Sequence, residues 1–114
     1  MRHKVLTLCG YGNVRSVCLS RQLKDWYDQE ALTAGLVANS PETLRMLFDW
    51  ADYVLNTCEL NPGEYLGSED DPKEKFYDFN VGKDRWGEPS NPELVAIMIQ
   101  KIEASGLFPT RRIV

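Results

Sequence analysis

Val5-Leu6-Thr7-Leu8-Cys9-Gly10-Tyr11-Gly12-Asn13-Val14-Arg15-Ser16 joins an apolar run to a glycine-bearing turn that ends in an arginine. Residues 5–8 read as a buried strand, and from Arg15 onward the apolar spacing becomes helical. A loop at a strand-to-helix junction aims successive backbone N–H groups at one point, backed by the positive end of the helix dipole. A phosphate fits such a point, and a cysteine at the loop's first position would lie beneath it. The same field favours thiolate over thiol, so Cys9 is expected to have a lowered pKa and to be nucleophilic. Arg15 offers a planar fork for two anion oxygens, which lysine cannot reproduce. Ser16 can donate a hydrogen bond to the Cys9 sulfur and favour its charged form. Gly10 and Gly12 permit close approach to an anion. Asn13 tolerates a left-handed backbone and can brace the loop, and Val14 completes it.

Outward from this stretch, strand-like and helix-like segments alternate. A helix is expected from Arg15 to about Tyr27, with Leu19, Leu23, Trp26 and Tyr27 on one face. A strand follows at 31–36. Ser40-Pro41-Glu42 marks a helix start, after which Leu44, Leu47, Phe48 and Ala51 recur at helical spacing. A third strand spans 53–55, closed by Asn56-Thr57. A polar stretch from about Cys58 to Lys75 reads as a long loop. A fourth strand is expected at 76–81. Asn91-Pro92-Glu93 opens a last helix with Leu94, Val95, Ile97, Met98 and Ile102 on its buried face and Gly106 at its end. This order implies one α/β domain over residues 1–114 with a mostly parallel sheet. Right-handed crossovers would gather the loops after the strands at one edge, making the Cys9 loop and the loop after the fourth strand neighbours.

Composition excludes several classes. The chain has 114 residues, a net charge of −4 and 43% hydrophobic residues. That balance argues against nonspecific binding to nucleic acid or to an acidic membrane. An anionic substrate must therefore be drawn by local groups, Arg15 and the loop amides. No run approaches membrane-spanning length, and three cysteines without metal-ligand spacing fit reduced thiols in a cytoplasmic domain.

Cys9-x5-Arg15-Ser16 after a hydrophobic strand resembles the low-molecular-weight protein tyrosine phosphatases and the related arsenate reductases. The segment Gly82-Lys83-Asp84-Arg85-Trp86 looks like that of a short, predicted-phosphatase branch. The resemblance implies a flavodoxin-like three-layer sandwich with a four-stranded sheet. It implies a protein-tyrosine-phosphatase activity, hydrolysis of a phosphate monoester with protein phosphotyrosine, or another aryl phosphate, as substrate and no metal or cofactor. Cys9 would attack phosphorus and form a cysteinyl-phosphate, and Arg15 would hold the equatorial oxygens. Asp84 is the best positional match to the family's general acid, with Asp71 of Asp71-Pro72 as runner-up, and Trp86 would wall the leaving group. The loop amides of residues 10–16 would bind the phosphate.

The chain departs from the family pattern in five respects. Gly12 and Asn13 each stand one position late, Tyr11 replaces a glycine, Val14 replaces a second loop cysteine, Asp84-Arg85-Trp86 stands for Asp-Pro-aromatic, and the chain is shorter, chiefly between the second strand and the second helix. Two alternatives stay open on the sequence. One is an arsenate reductase-like redox enzyme pairing Cys9 with Cys58 or Cys18. The other is a phosphate-binding module without a competent acid. His3 reads as a surface residue, and the aromatic residues of the first two helices read as core.

Overall fold

The computed structural model describes residues 3–11, 13–60, 75–82 and 85–108. The elements run β1 (Lys4–Cys9), α1 (Arg15–Trp26), β2 (Glu30–Gly35), α2 (Pro41–Trp50), β3 (Tyr53–Asn56), β4 (Phe76–Asp78) and α3 (Pro92–Ser105). All four strands form one sheet in the order β2-β1-β3-β4, and each neighbouring pair is parallel. The sheet is thus wholly parallel, where the sequence implied mostly parallel.

Strand alternation divides the core into two layers, because successive side chains point to opposite faces. Val5 and Leu55 pack with Leu19 and Leu23 of α1 and with Leu94, Met98 and Ile102 of α3. On the opposite face Leu6, Leu8 and Val54 pack with Leu44 and Phe48 of α2. The result is a helix–sheet–helix sandwich with β1 buried on both sides. That double burial is why β1 reads as an unbroken apolar run. Each fully buried leucine contributes on the order of 1.5–3 kcal/mol relative to exposure.

The expected helix starts appear where their chemistry dictates. Ser40 Oγ accepts from Thr43 N at 3.2 Å, and Asn91 Oδ1 accepts from Glu93 N at 2.9 Å. Proline follows each cap, and an acid stands in each first turn. Gly106 ends α3 in the left-handed conformation at φ 69°.

The fourth strand is shorter than the sequence implied, ending at Asp78 and not at Val81. Phe79 N still donates to Asn56 O at 2.7 Å. Beyond it, Asp78 Oδ1 accepts from Asn80 N (2.9 Å) and Asn80 Oδ1 accepts from Gly82 N (2.7 Å). Two successive side-chain-to-backbone turns thus take the alternate N–H groups and end the regular strand, while Val81 N still donates to Thr57 O at 3.1 Å and keeps the chain beside β3. Most of the expected 58–75 loop, including Asp71, lies outside the described residues.

Strand order fixes where a site can form. The chain leaves β1 toward β2 on one side, then returns across it to β3 on the other. The crevice beyond the carboxyl ends of β1 and β3 is the switch point of the sheet, the place where α/β folds of this kind bind ligands. Cys9 is the last residue of β1.

Candidate active site

Cys9 is buried, and its Sγ lies 3.1 Å from Ser16 Oγ. The Thr33 hydroxyl donates to Ser16 Oγ. With one lone pair of Ser16 occupied in this way, its own proton is directed to the sulfur. A donor aimed at sulfur favours thiolate. Beneath this relay, Thr7 Oγ1 donates to Ser16 O at 2.8 Å and meets Ser20 Oγ at 2.7 Å. These bonds pin the first turn of α1 to the centre of β1, so the serine is held by backbone and side chain alike.

The start of α1 differs from the other two helix starts among the described residues. Its N-cap is Val14, which makes no side-chain cap bond, and its first turn holds no acid. Among the described residues the first turn of α1 thus has no side-chain cap and no acid of its own to meet its N–H groups and positive dipole end. A hydroxyl or amide caps each of the other two.

Arg15 stands in that first turn and is only 6% exposed. Its Nη1 donates to Glu59 Oε2 at 3.0 Å and to the Gly82 carbonyl. Nη2 lies 4.0 Å from where a side chain on Gly10 would begin, so the guanidinium overlies the loop. Nε is buried and has no hydrogen-bond partner among the described residues. A buried cationic donor left without an acceptor is costly, and a bound anion is the natural remedy. The contact with Gly82 brings the loop after β4 to the Cys9 loop, as the topology implied.

The loop is seated by its neighbours. Leu36 N and Val37 N donate to Cys9 O and Gly10 O, each at 2.8 Å. Thr57 binds Leu8 O through both its N–H (2.8 Å) and its hydroxyl (2.7 Å). Asn56 braces the turn that carries Glu59: its Nδ2 donates to Cys58 O (3.2 Å) and Leu60 O (2.9 Å). Neither Thr33 nor Glu59 nor Asn56 carries a motif, and only the fold brings them here.

Of the residues singled out from sequence, Cys9, Gly10, Val14, Arg15 and Ser16 converge at this point, with Tyr11 and Asn13 exposed on the rim. Gly12 and Asp84 lie outside the described residues. Trp86 is placed differently from the expected leaving-group wall. It is 4% exposed, packed in the core beneath α3, with the Arg85 guanidinium carbon 3.8 Å from its ring centroid. Among the described residues, Tyr11 of the Cys9 loop is an exposed aromatic, at 67%.

The other two thiols are buried. Burial pushes the Cys18 thiol up to about 11, against a weaker downward pull from Arg21. Burial also pushes Cys58 up, outweighing the Leu60 backbone N–H and the Arg15 charge. Among the described residues no three His, Cys, Asp or Glu side chains are grouped to hold a metal ion, and no helix is long and apolar enough to cross a membrane.

No protein-family model matches the chain, and no curated protein sequence does. Solved structures do. The YwlE arginine phosphatase from Geobacillus stearothermophilus aligns with a TM-score of 0.60 at 18% identity, over 92% of this chain and 96% of that one. A low molecular weight protein tyrosine phosphatase from Bacillus subtilis aligns with a TM-score of 0.60 at 12% identity, over 90% and 96%. The chain therefore has the flavodoxin-like fold of the low-molecular-weight phosphatases.

Proposed function

We propose that the chain is a cysteine-dependent phosphatase that hydrolyses a phosphate monoester, with protein phosphotyrosine or a small aryl phosphate as substrate. The observation that carries this reading is the buried Arg15, whose Nε has no partner among the described residues, at the start of the helix where the Cys9 sulfur lies 3.1 Å from the Ser16 hydroxyl. The fold neighbours, both phosphatases by name, support it.

In this mechanism the Cys9 thiolate attacks phosphorus in line with the leaving oxygen. A sulfur–phosphorus bond forms and the phosphorus–oxygen ester bond breaks. Arg15 and the first-turn amides of α1 hold the equatorial oxygens, where charge is concentrated in the transition state. Asp84, two residues beyond Gly82, is assigned as the acid that protonates the departing alkoxide or phenoxide. The same carboxylate then takes a proton from water, which attacks the cysteinyl-phosphate and releases inorganic phosphate and the thiolate. Tyr11, exposed on the loop rim, is assigned as the aromatic side chain that meets the leaving group.

A redox reading with Cys58 as the partner thiol is less well supported. Burial holds Cys58 in its neutral form, which is a poor attacking species. The deciding experiment is hydrolysis of para-nitrophenyl phosphate in the presence of EDTA by wild type, Cys9→Ser and Asp84→Asn. Phosphotyrosine and phosphoarginine peptides are run beside it, since one fold neighbour is named an arginine phosphatase. Loss of turnover in Cys9→Ser with a strong drop in Asp84→Asn is expected. Full activity in Cys9→Ser would end the proposal, and full activity in Asp84→Asn would move the acid to Asp71.

A further inference from the structure

An anion seat that already contains a carboxylate poses a physical question. Glu59 Oε2 lies 3.0 Å from Arg15 Nη1, and its side chain is 41% exposed. A carboxylate in that position can act as a rival, occupying the guanidinium that a phosphate needs. It can instead act as a brace, holding the guanidinium in place for the phosphate. The atoms involved separate the two.

A guanidinium presents five N–H donors in a plane. Nη1 owns two of them, and the structure gives it two acceptors, Glu59 Oε2 and Gly82 O. That nitrogen is fully used. The parallel pair of donors suited to bidentate binding of an oxyanion lies on the other edge, formed by Nε and Nη2. Nε has no partner among the described residues, and Nη2 overlies Gly10 of the loop. A rival would sit on the anion-binding edge. Glu59 sits on the opposite nitrogen and leaves that edge open.

We propose that Glu59 is a positioning residue that presets Arg15: by holding Nη1 it fixes the Nε–Nη2 edge over the Cys9 loop, where that edge grips phosphoryl oxygens. This rests on reading the loop as a phosphate seat. The role has a physical need behind it. Arginine carries several rotatable bonds, and a guanidinium held by one carbonyl alone is free to swing about that contact. A second anchor on the same nitrogen removes the swing before substrate arrives, so less order is lost on binding. The turn bearing Glu59 is itself fixed by Asn56, so the brace stands on a rigid base.

Brace and rival make opposite predictions for anion affinity. Inorganic phosphate binding by isothermal titration calorimetry, with para-nitrophenyl phosphate kinetics, is measured on wild type, Glu59→Ala and Glu59→Gln. The brace predicts phosphate binding weakened about tenfold in Glu59→Ala and kcat/KM reduced by about tenfold to a hundredfold, the scale of a small misplacement. Glu59→Gln, which keeps an acceptor for Nη1, should recover part of both losses. Melting temperatures should stay close to wild type, because the side chain is partly exposed, and this separates positioning from loss of fold. Phosphate binding that is unchanged or tighter in Glu59→Ala overturns the proposal. Wild type that binds phosphate but hydrolyses nothing overturns the phosphatase reading alone, and the Glu59 comparison still decides the brace.

Discussion

Gly35 lies directly under the backbone of Tyr11: a Cβ at Gly35 would stand 2.4 Å from the Tyr11 carbonyl carbon and 2.7 Å from its oxygen. Backbone cannot yield as a side-chain tip can. Only glycine at the end of β2 lets the Cys9 loop fold down onto the sheet. Gly35→Ala should therefore lift the loop, at a cost of about 1–3 kcal/mol typical of overpacking. Thermal unfolding and phosphate titration check this. An alanine variant with wild-type melting temperature and phosphate affinity would refute the close approach.

The Thr33–Ser16–Cys9 chain predicts a shift in pH dependence. Without its hydroxyl donor, the thiolate loses a charge-assisted bond, and bonds of that kind contribute about 1.5–3 kcal/mol. Ser16→Ala should reduce kcat/KM at neutral pH by about tenfold or more, and the rising limb of the pH profile should move to higher pH. Thr33→Val should produce a smaller change in the same direction, because Ser16 is then free to rotate away. A Thr33→Val profile that is superimposable on wild type would show that the outer hydroxyl has no part in holding the sulfur.

Cys18 sets an alkaline limit. Its thiol is raised from 9.0 to about 11 in the folded chain, so the native state holds that proton more tightly than the unfolded state. The associated stability is complete below pH 9 and is lost as pH rises from 9 through 11. Cys58, raised by burial, adds in the same direction. Denaturant titrations at pH 8 and 11 should show Cys18→Ala losing less stability across that interval than wild type. Equal losses in the two proteins would rule the thiol out as the cause.

Asn56 is buried and joins β3 to the turn that follows it, accepting from the Cys58 thiol at 3.2 Å while its amide serves two carbonyls. Asn56→Ala strands those groups and should cost about 2–3 kcal/mol. It should also expose Cys58 to iodoacetamide at pH 8, read by mass spectrometry. Unaltered Cys58 labelling in the variant would mean the turn holds its shape by other contacts.

Much of the architecture was legible because local signals agreed with the tertiary fold. Ser40 and Asn91 cap as their types demand, and Val5, Leu6 and Leu8 form a doubly buried strand as their run implies. Cys9, Arg15 and Ser16 meet because loop and helix start are contiguous in sequence. The misses have physical causes. The strand reading to Val81 overlooked that Asp78 and Asn80 fold local turns onto the Asn80 and Gly82 N–H groups, which ends the regular strand at Asp78 although Phe79 and Val81 still donate across to Asn56 and Thr57. Trp86 was expected to wall the leaving group by its place beside Asp84 in the family resemblance, but its ring is covered by the core and by Arg85. Gly35, Thr33 and Glu59 owe their roles to distant partners, and no local pattern marks them. One signal was present: α1 begins with a valine cap and no acid, unlike α2 and α3, and a helix start left so bare is one that an outside anion can complete.

The span of the Arg15 contacts governs when the site comes into being. Its partners lie 44 and 67 residues away along the chain. Contacts of that sequence separation carry a loop-closure cost that the packing of the sheet and its helices must offset. A nascent or partly unfolded chain thus possesses the cysteine and the arginine but not the guanidinium geometry. Anion binding becomes a property of the native state alone, and inorganic phosphate should shift the folding equilibrium toward it by mass action. The chain would then be protected from unfolding by the ion that its proposed reaction releases.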